Sequence, residues 1–334
     1  MISVRYHVTL NEVQEDPALI AALEAPLAQG PFDRLGWLRA LVEEDAMSPL
    51  LAVAQEGEAL AVLPMAQTAD GLGPLANWYA FTVRPLGNAP RLLPAIARDL
   101  KRRAARLTLW PLPDEQGEAS TLAAAFRAAG WFTMLEPCDT NHYLTLGGRS
   151  YADYLASRPG PLRTTLKRKG KKVAVTLYDQ FSDTAWADYE AVYAQSWKPE
   201  EGSPTLLRRF AREEGAAGRL RLGLAHADID GTRQPVAAQL WTVENGTAYI
   251  HKLAYAEAAK PLSPGTTLSA ALFERVIDTD HVHTVDFGTG DDPYKRDWME
   301  AQRPRYRLTA HRPTAPGQWP AIAKALLKRA ARRG

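Results

Sequence analysis

The sequence predicts an α/β fold of the α+β kind, built as two similar halves. Three observations carry this. The chain has 334 residues, more than one hydrophobic core usually organises, so two domains are expected. Short apolar runs of period 2 alternate with longer stretches of helical period. The order of these runs (helices, an antiparallel meander, a helix, a strand) occurs once in 1–140 and again from 150 onward.

In the first half, residues 1–10 read as a strand. A helix over 17–28 follows, with Asp16 as N-cap and Pro17 at the first helical position. Asp33 caps the next helix, whose Leu35, Leu38, Leu41 and Val42 share one apolar face. Strands 50–55 and 59–65 form a hairpin around Glu56-Gly57-Glu58, and a third extended piece covers 78–83. A basic helix at 91–103, a strand at 106–110, a helix at 118–129 closed by Gly130 and a strand at 131–136 complete this half. Asn141, Gly147 and Gly148 interrupt the pattern, so 140–150 is the expected crossing between halves.

The second half opens with helices over 151–158 and 161–170, a strand at 173–178 and helices at 184–197 and 204–215. Strands 219–227, 235–243 and 247–255 make the meander, turning at Asp228-Ile-Asp-Gly231 and Glu244-Asn-Gly246. Then come a helix at 264–278, strands at 282–287 and 304–310, and a last helix over 317–332. That last helix sets Trp319, Ile322, Leu326 and Ala330 on one face, with Lys324, Lys328, Arg329 and Arg332 around the rest. The stripe is short for a membrane anchor, so it is expected to dock on the body.

Charge is distributed unevenly. Residues 163–172 hold six Lys/Arg and no acid, and 301–334 hold nine and no acid. Both segments suit a polyanionic partner. No apolar run is long enough to span a bilayer, and the first residues lack the order of a signal peptide. Cys138 is the only cysteine, and no Cys/His spacing suits zinc. A cytoplasmic protein without a structural metal is expected.

The stretch that stands out is His283-Thr-Val-Asp-Phe-Gly-Thr-Gly-Asp-Asp-Pro-Tyr-Lys-Arg-Asp-Trp298. An alternating β-branched strand breaks at two glycines and a proline, delivering carboxylates and a lysine to one rim.

The second half resembles the two-domain branch of the GNAT acyltransferase superfamily that contains the CelD-like acetyltransferases, with the Fem-type aminoacyltransferases as more distant relatives. Arg163-Thr-Thr-Leu-Lys-Arg-Lys-Gly-Lys-Lys-Val173 is similar to the basic helix opening the second domain of these proteins. Tyr255 followed by Pro261-Leu-Ser-Pro-Gly-Thr-Thr-Leu268 resembles their strand end and helix start, and Asp286 to Lys295 resembles their "DFG-G…YK" signature. The resemblance spans 150–310, and the first half shares only the element order. It implies two tandem GNAT-like domains, 1–140 and 150–312, with 313–334 as a basic helix.

Acyl transfer to an amine needs a polarised carbonyl, a stabilised oxyanion and a proton acceptor. The resemblance implies that strands 247–255 and 282–287 splay to offer backbone N–H groups to the donor. Ser263 as N-cap, Gly265 and Thr266 would then meet its phosphates, with Leu253 and Tyr255 beside them. Lys295 can bind a donor phosphate or steady the oxyanion. Asp286 can accept the amine proton or orient the acceptor, with Asp291 and Asp292 as alternatives. His251, read as sharing a face with Tyr249 and Leu253, can act as general base. Gln239 and Tyr294 can bind acceptor, and Trp197 can pack or present a saccharide platform. The usual pyrophosphate loop, Arg/Gln-x-x-Gly-x-Gly/Ala, is replaced by Ser263-Pro-Gly-Thr-Thr, so the donor is acetyl-CoA, a longer acyl-CoA or an aminoacyl-tRNA. The acceptor is a small-molecule or saccharide amine, such as an exopolysaccharide precursor. A non-catalytic nucleotide-binding regulator is the third reading.

Overall fold

A computed structural model describes residues 1–24 and 30–331. Residues 25–28 of the second predicted helix and 332–334 of the basic tail, Arg332 included, lie outside the described residues. The chain folds as two compact units, one holding Met1–Thr140 with the segment from Pro304 onward, the other Asn141–Arg303.

The first unit runs β1 (Ser3–His7), α1 (Leu10–Gln14), α2 (Pro17–Leu23), α3 (Leu35–Glu44), β2 (Pro49–Glu56), β3 (Ala59–Thr68), β4 (Gly71–Pro74), α4 (Leu93–Asp99), β5 (Arg106–Leu112), α5 (Glu118–Ala128) and the first part of β6 (Phe132–Thr145). Its strands lie in the order β1-β2-β3-β4-β5, joined by the C-terminal β12 (Ala301–His311), which pairs antiparallel with β5 from Tyr306 to His311. That pairing corrects two boundaries. The strand from Pro304 onward belongs with the first unit, not the second, and the last helix, α12 (Trp319–Ala331), expected as a separate segment at 313–334, belongs with the first unit as well. Leu308 and Ala310 lie in the same core as Leu63, Ile96 and Phe126. Residues 78–83, predicted as extended, form no strand, because the Asn77 side-chain carbonyl accepts from the Tyr79 amide and folds the chain into an Asx turn.

The docking expected of α12 through its apolar stripe does not form. Trp319, Leu326 and Ala330 are exposed, Ile322 is half-buried, and no residue of the helix is fully buried. Its entrance is fixed from elsewhere: the Trp319 indole donates to the Pro313 carbonyl, and His311 is hydrogen-bonded to Gln318. Lys328 then reaches Glu136 at 3.5 Å, which turns the basic side inward.

The second unit continues from β6 through α6 (Tyr151–Ala156), α7 (Gly160–Lys169), β7 (Ala174–Tyr178), α8 (Asp183–Ala194), α9 (Pro204–Ala216), β8 (Leu220–Ile229), β9 (Thr232–Glu244), β10 (Thr247–Tyr255), α10 (Pro264–Glu274), β11 (Thr284–Thr289) and α11 (Lys295–Trp298). Its strand order is β6-β11-β10-β9-β8-β7. The meander turns as its residues demand: Asp230-Gly231 and Asn245-Gly246 all sit at positive φ, the two-residue turn that matches strand twist. β6 runs on to Thr145, so the expected crossing at 140–150 is largely strand. Asn141 is fully buried there by its own hydrogen bonds to Asp286 and Gly288. At the centre, Phe273 of α10 stacks on Trp298 at 4.8 Å and meets Trp241 edge-on at 5.1 Å. This core fastens α10 and α11, the two elements that flank the site, and truncating such an aromatic costs about 3–5 kcal/mol.

Candidate active site

β10 and β11 begin as neighbours and then part. They pair in parallel from Thr247/Thr284 to Tyr249/Asp286, yet β10 continues to Tyr255 and β11 to Thr289. Both strands are irregular just past the last pair. β10 shifts register against β9 between Ile250 and Lys252, and β11 shifts against β6 between Asp286 and Thr289. Beyond this level the backbone edge of β10 has no strand opposite it on the β11 side, which leaves main-chain groups for a ligand.

The bulge also resets which way side chains point, since one extra residue slips the period-2 phase. Ala248 and Ile250 belong to the core against α10, and after the bulge Leu253 and Tyr255 rejoin it. His251 and Lys252 both face α8 and α9 instead: the His251 ring meets Phe210 edge-on at 5.0 Å, and the Lys252 ammonium pairs with Glu201 at 2.7 Å. The expectation that His251 shares a face with Leu253 is therefore corrected, while Tyr249 does stay with it, its ring 6.3 Å away. His251 Nε2 lies 2.7 Å from the Thr242 hydroxyl. Burial lowers the Lys252 pKa to about 8, against the opposing pull of Glu201.

At the exit of β10, Ser263 adopts a left-handed conformation (φ 54°) and its side chain caps nothing, correcting its predicted N-cap role. Its hydroxyl instead accepts from Lys169, the last residue of basic α7, at 3.1 Å. Thus one basic segment noted in the sequence reaches the start of α10, where Pro264, Gly265 and Thr266 form the first turn. Free N–H groups and the helix dipole of such a turn favour an anion. Tyr255 adjoins Gly265 on one side and lies 4.3 Å from the Trp197 ring on the other. Trp197 does not end a helix. α8 stops at Ala194, where the Gln195 carbonyl accepts from the Glu257 amide and Pro199 disfavours further helix. The indole sits half-exposed in the connecting loop. Gln239 is removed from the acceptor side. It is buried, donates to the Gly265 carbonyl and the Ser269 hydroxyl, and accepts from the Trp241 indole. Its work is to fix α10 to the sheet.

The turn after β11 is tied shut. Asp286, buried, accepts from Asn141 and from the Gly288 amide through one oxygen and from Arg303 at 2.8 Å through the other. Arg303 also donates to Asn141. Asp291 is held by Arg296 and by buried His142, which keeps its carboxyl below the usual range. Lys295 is no rim lysine: it is 4% exposed, donates to the Thr289 carbonyl and lies 5.3 Å from the centre of the Phe287 ring. Tyr294, partly exposed, meets the same ring edge-on, and burial of its hydroxyl pushes its pKa up.

Residues 150–296 match the family model of the GNAT acetyltransferase domain. The chain carries a GNAT acyltransferase domain. Solved structures extend the likeness of fold over both units of the chain. FemX aligns with a TM-score of 0.61 at 9% identity, over 92% of this chain and 96% of that one. The C-terminal domain of a putative lysylphosphatidylglycerol synthetase from Agrobacterium fabrum gives 0.58 at 12%, over 86% and 91%. A tandem GNAT protein from the clavulanic acid biosynthesis pathway gives 0.54 at 16%, over 92% and 98%. At these identities the likeness is one of fold, and the fold is the tandem GNAT arrangement. Among the curated proteins none matches the chain. Among the described residues, no group of three His, Cys, Asp or Glu could hold a metal, and no helix is long and apolar enough to cross a membrane.

Several residues around the candidate site were missed in the sequence. Lys252 carried a signal, as a lysine alternating with Ala248, Ile250 and Ala254 on a strand. Lys169 was visible only as one charge among six. Asn141, His142 and Arg303 gave none, because each acts on the β11 turn from more than ten residues away.

Proposed function

We propose that this GNAT acyltransferase moves an acyl group from acetyl-CoA or a longer acyl-CoA to an amine, with an amino sugar or exopolysaccharide precursor as acceptor. The observation that carries the reading is the parting of β10 and β11 on the way to a helix start flanked by Lys169. The CelD-like resemblance motivates the acceptor, and an acyl-CoA donor fits a cytoplasmic setting.

Bound acyl-CoA would supply the thioester. Lys169 and the amides of Gly265 and Thr266 would hold its pyrophosphate, with Gly265 leaving room for backbone approach. Leu253 and Tyr255 would line the path inward. The open edge of β10 would direct backbone N–H groups at the carbonyl oxygen, where charge grows as the amine nitrogen attacks. Collapse of that adduct re-forms the carbonyl, breaks the carbon–sulfur bond and releases the CoA thiolate, which takes up a proton as the free thiol. His251 takes the ammonium proton in this reading, neutral imidazole being suited to that near pH 7. Trp197 and Tyr294 border the acceptor. Lys295 and Asp286 act as positioning residues that fix the β11 side of the gap.

Calorimetry with acetyl-CoA, longer acyl-CoAs and charged tRNA tests the donor: acyl-CoA should bind, and tRNA binding in its place would support a Fem-type donor. His251→Gln should lower kcat about a hundredfold or more with little change in KM. Full turnover would move the base elsewhere.

A further inference from the structure

α12 is oriented against its own polarity. At about 100° per residue, Trp319, Ala323, Leu326, Leu327 and Ala330 fall within one arc of roughly 100°. That arc faces away from the body: Trp319 is 59% exposed, Leu326 51% and Leu327 73%. The opposite side, with Ala321, Lys324, Ala325, Lys328 and Arg329, lines a groove of about 770 Å³ over Arg106, Arg127 and the strand from Phe132 to Glu136. A helix folding only onto its own protein would bury the apolar arc and expose the lysines.

Charge decides what covers the arc. Lys324 and Arg329, exposed on the rim of the groove, flank the arc about 60° beyond its two edges. Arg332 and Arg333 follow in the sequence, and no acid occurs after Glu300. A second copy seated symmetrically on the face would bring two cationic rims together. Nucleic acid would satisfy the charges and leave the indole and leucines in water. An anionic bilayer satisfies both, with apolar side chains at the acyl boundary and basic ones among the headgroups.

We propose that α12 is an interfacial helix that seats the enzyme on an anionic lipid surface through Trp319, Leu326 and Leu327. The assignment is independent of the donor and acceptor of the reaction. Co-sedimentation of the full chain tests it, using phosphatidylcholine vesicles with and without phosphatidylglycerol. Binding should require the anionic lipid and fall at least tenfold in Leu326→Glu/Leu327→Glu, and similarly in Lys324→Glu/Arg329→Glu. All four side chains are exposed, so the unfolding midpoint should hold in both variants. Wild-type binding by the double leucine variant, or no binding by the wild type, would overturn the proposal. So would a wild-type dimer on size exclusion that the leucine substitutions dissociate, which would identify the arc as a self-interface.

Discussion

Two turns follow the parted strands, and they are built in opposite ways. The one after β11 is dense with charge, and almost all of that charge is spent internally: Asp286 on Arg303 and Asn141, Asp291 on Arg296 and His142, Lys295 on a backbone carbonyl. The one after β10 carries Glu257 and Lys260 in its first part, but its last residues are plain, a strained Ser263, Pro264 and Gly265, and the charged side chain hydrogen-bonded to Ser263 is borrowed from α7. The busier motif is a frame, and in the proposed reading the plainer one faces the ligand. A carboxylate paired in a buried network has little capacity left for substrate, whereas an uncapped helix start retains its donors.

The comparison breaks first at Arg303. If the β11 turn is a frame, Arg303→Leu leaves the Asp286 carboxylate buried and short of a donor, which costs about 3 kcal/mol, the low end for a broken buried pair because Arg303 is partly exposed. Urea unfolding would read this as a lowered midpoint, and an unchanged midpoint would free Asp286 for chemistry. At the other turn, Gly265→Val should weaken acyl-CoA binding roughly thirtyfold, about 2 kcal/mol, with the fold intact. Calorimetry showing equal affinity would remove the α10 start from the site. Lys169→Ala should cost about tenfold in the same titration and flatten its salt dependence; a salt response like the wild type's would detach α7 from the donor.

The smallest effect concerns pH. Lys252 has a folded pKa of about 8, below the ordinary lysine value of 10.5. Between these values the unfolded chain binds more protons than the folded one, so this group makes stability rise with pH across that window. Lys252→Met/Glu201→Gln should remove that rise, as followed by thermal midpoints at pH 8 and pH 10. A slope equal to the wild type's would assign it to other groups.

Much of the architecture was legible because it is local. Asp230-Gly231 and Asn245-Gly246 turn the meander where the sequence said they would, since left-handed φ is a property of one or two residues. The α10 helix and the β11 strand were likewise visible as periodicities. The site was legible only by location. Gln239, read as a ligand contact, is a brace for α10, and Lys295, read as a rim charge, is buried, because burial is set by neighbours distant in sequence.

The sequence by itself determined the α+β class, the doubled element order and the two segments that flank the gap, through turn chemistry and hydrophobic period. Tertiary structure decided the rest. A one-residue bulge near His251 put it and Lys252 on the same side of the sheet, a slip no alternation rule anticipates. Pairing with β5 placed β12 in the first unit. The Lys328–Glu136 contact and the Trp319 hydrogen bond turned α12 apolar side out. Each of these depends on which partner a strand or side chain meets across a long stretch of chain, and that is settled only when the whole fold closes.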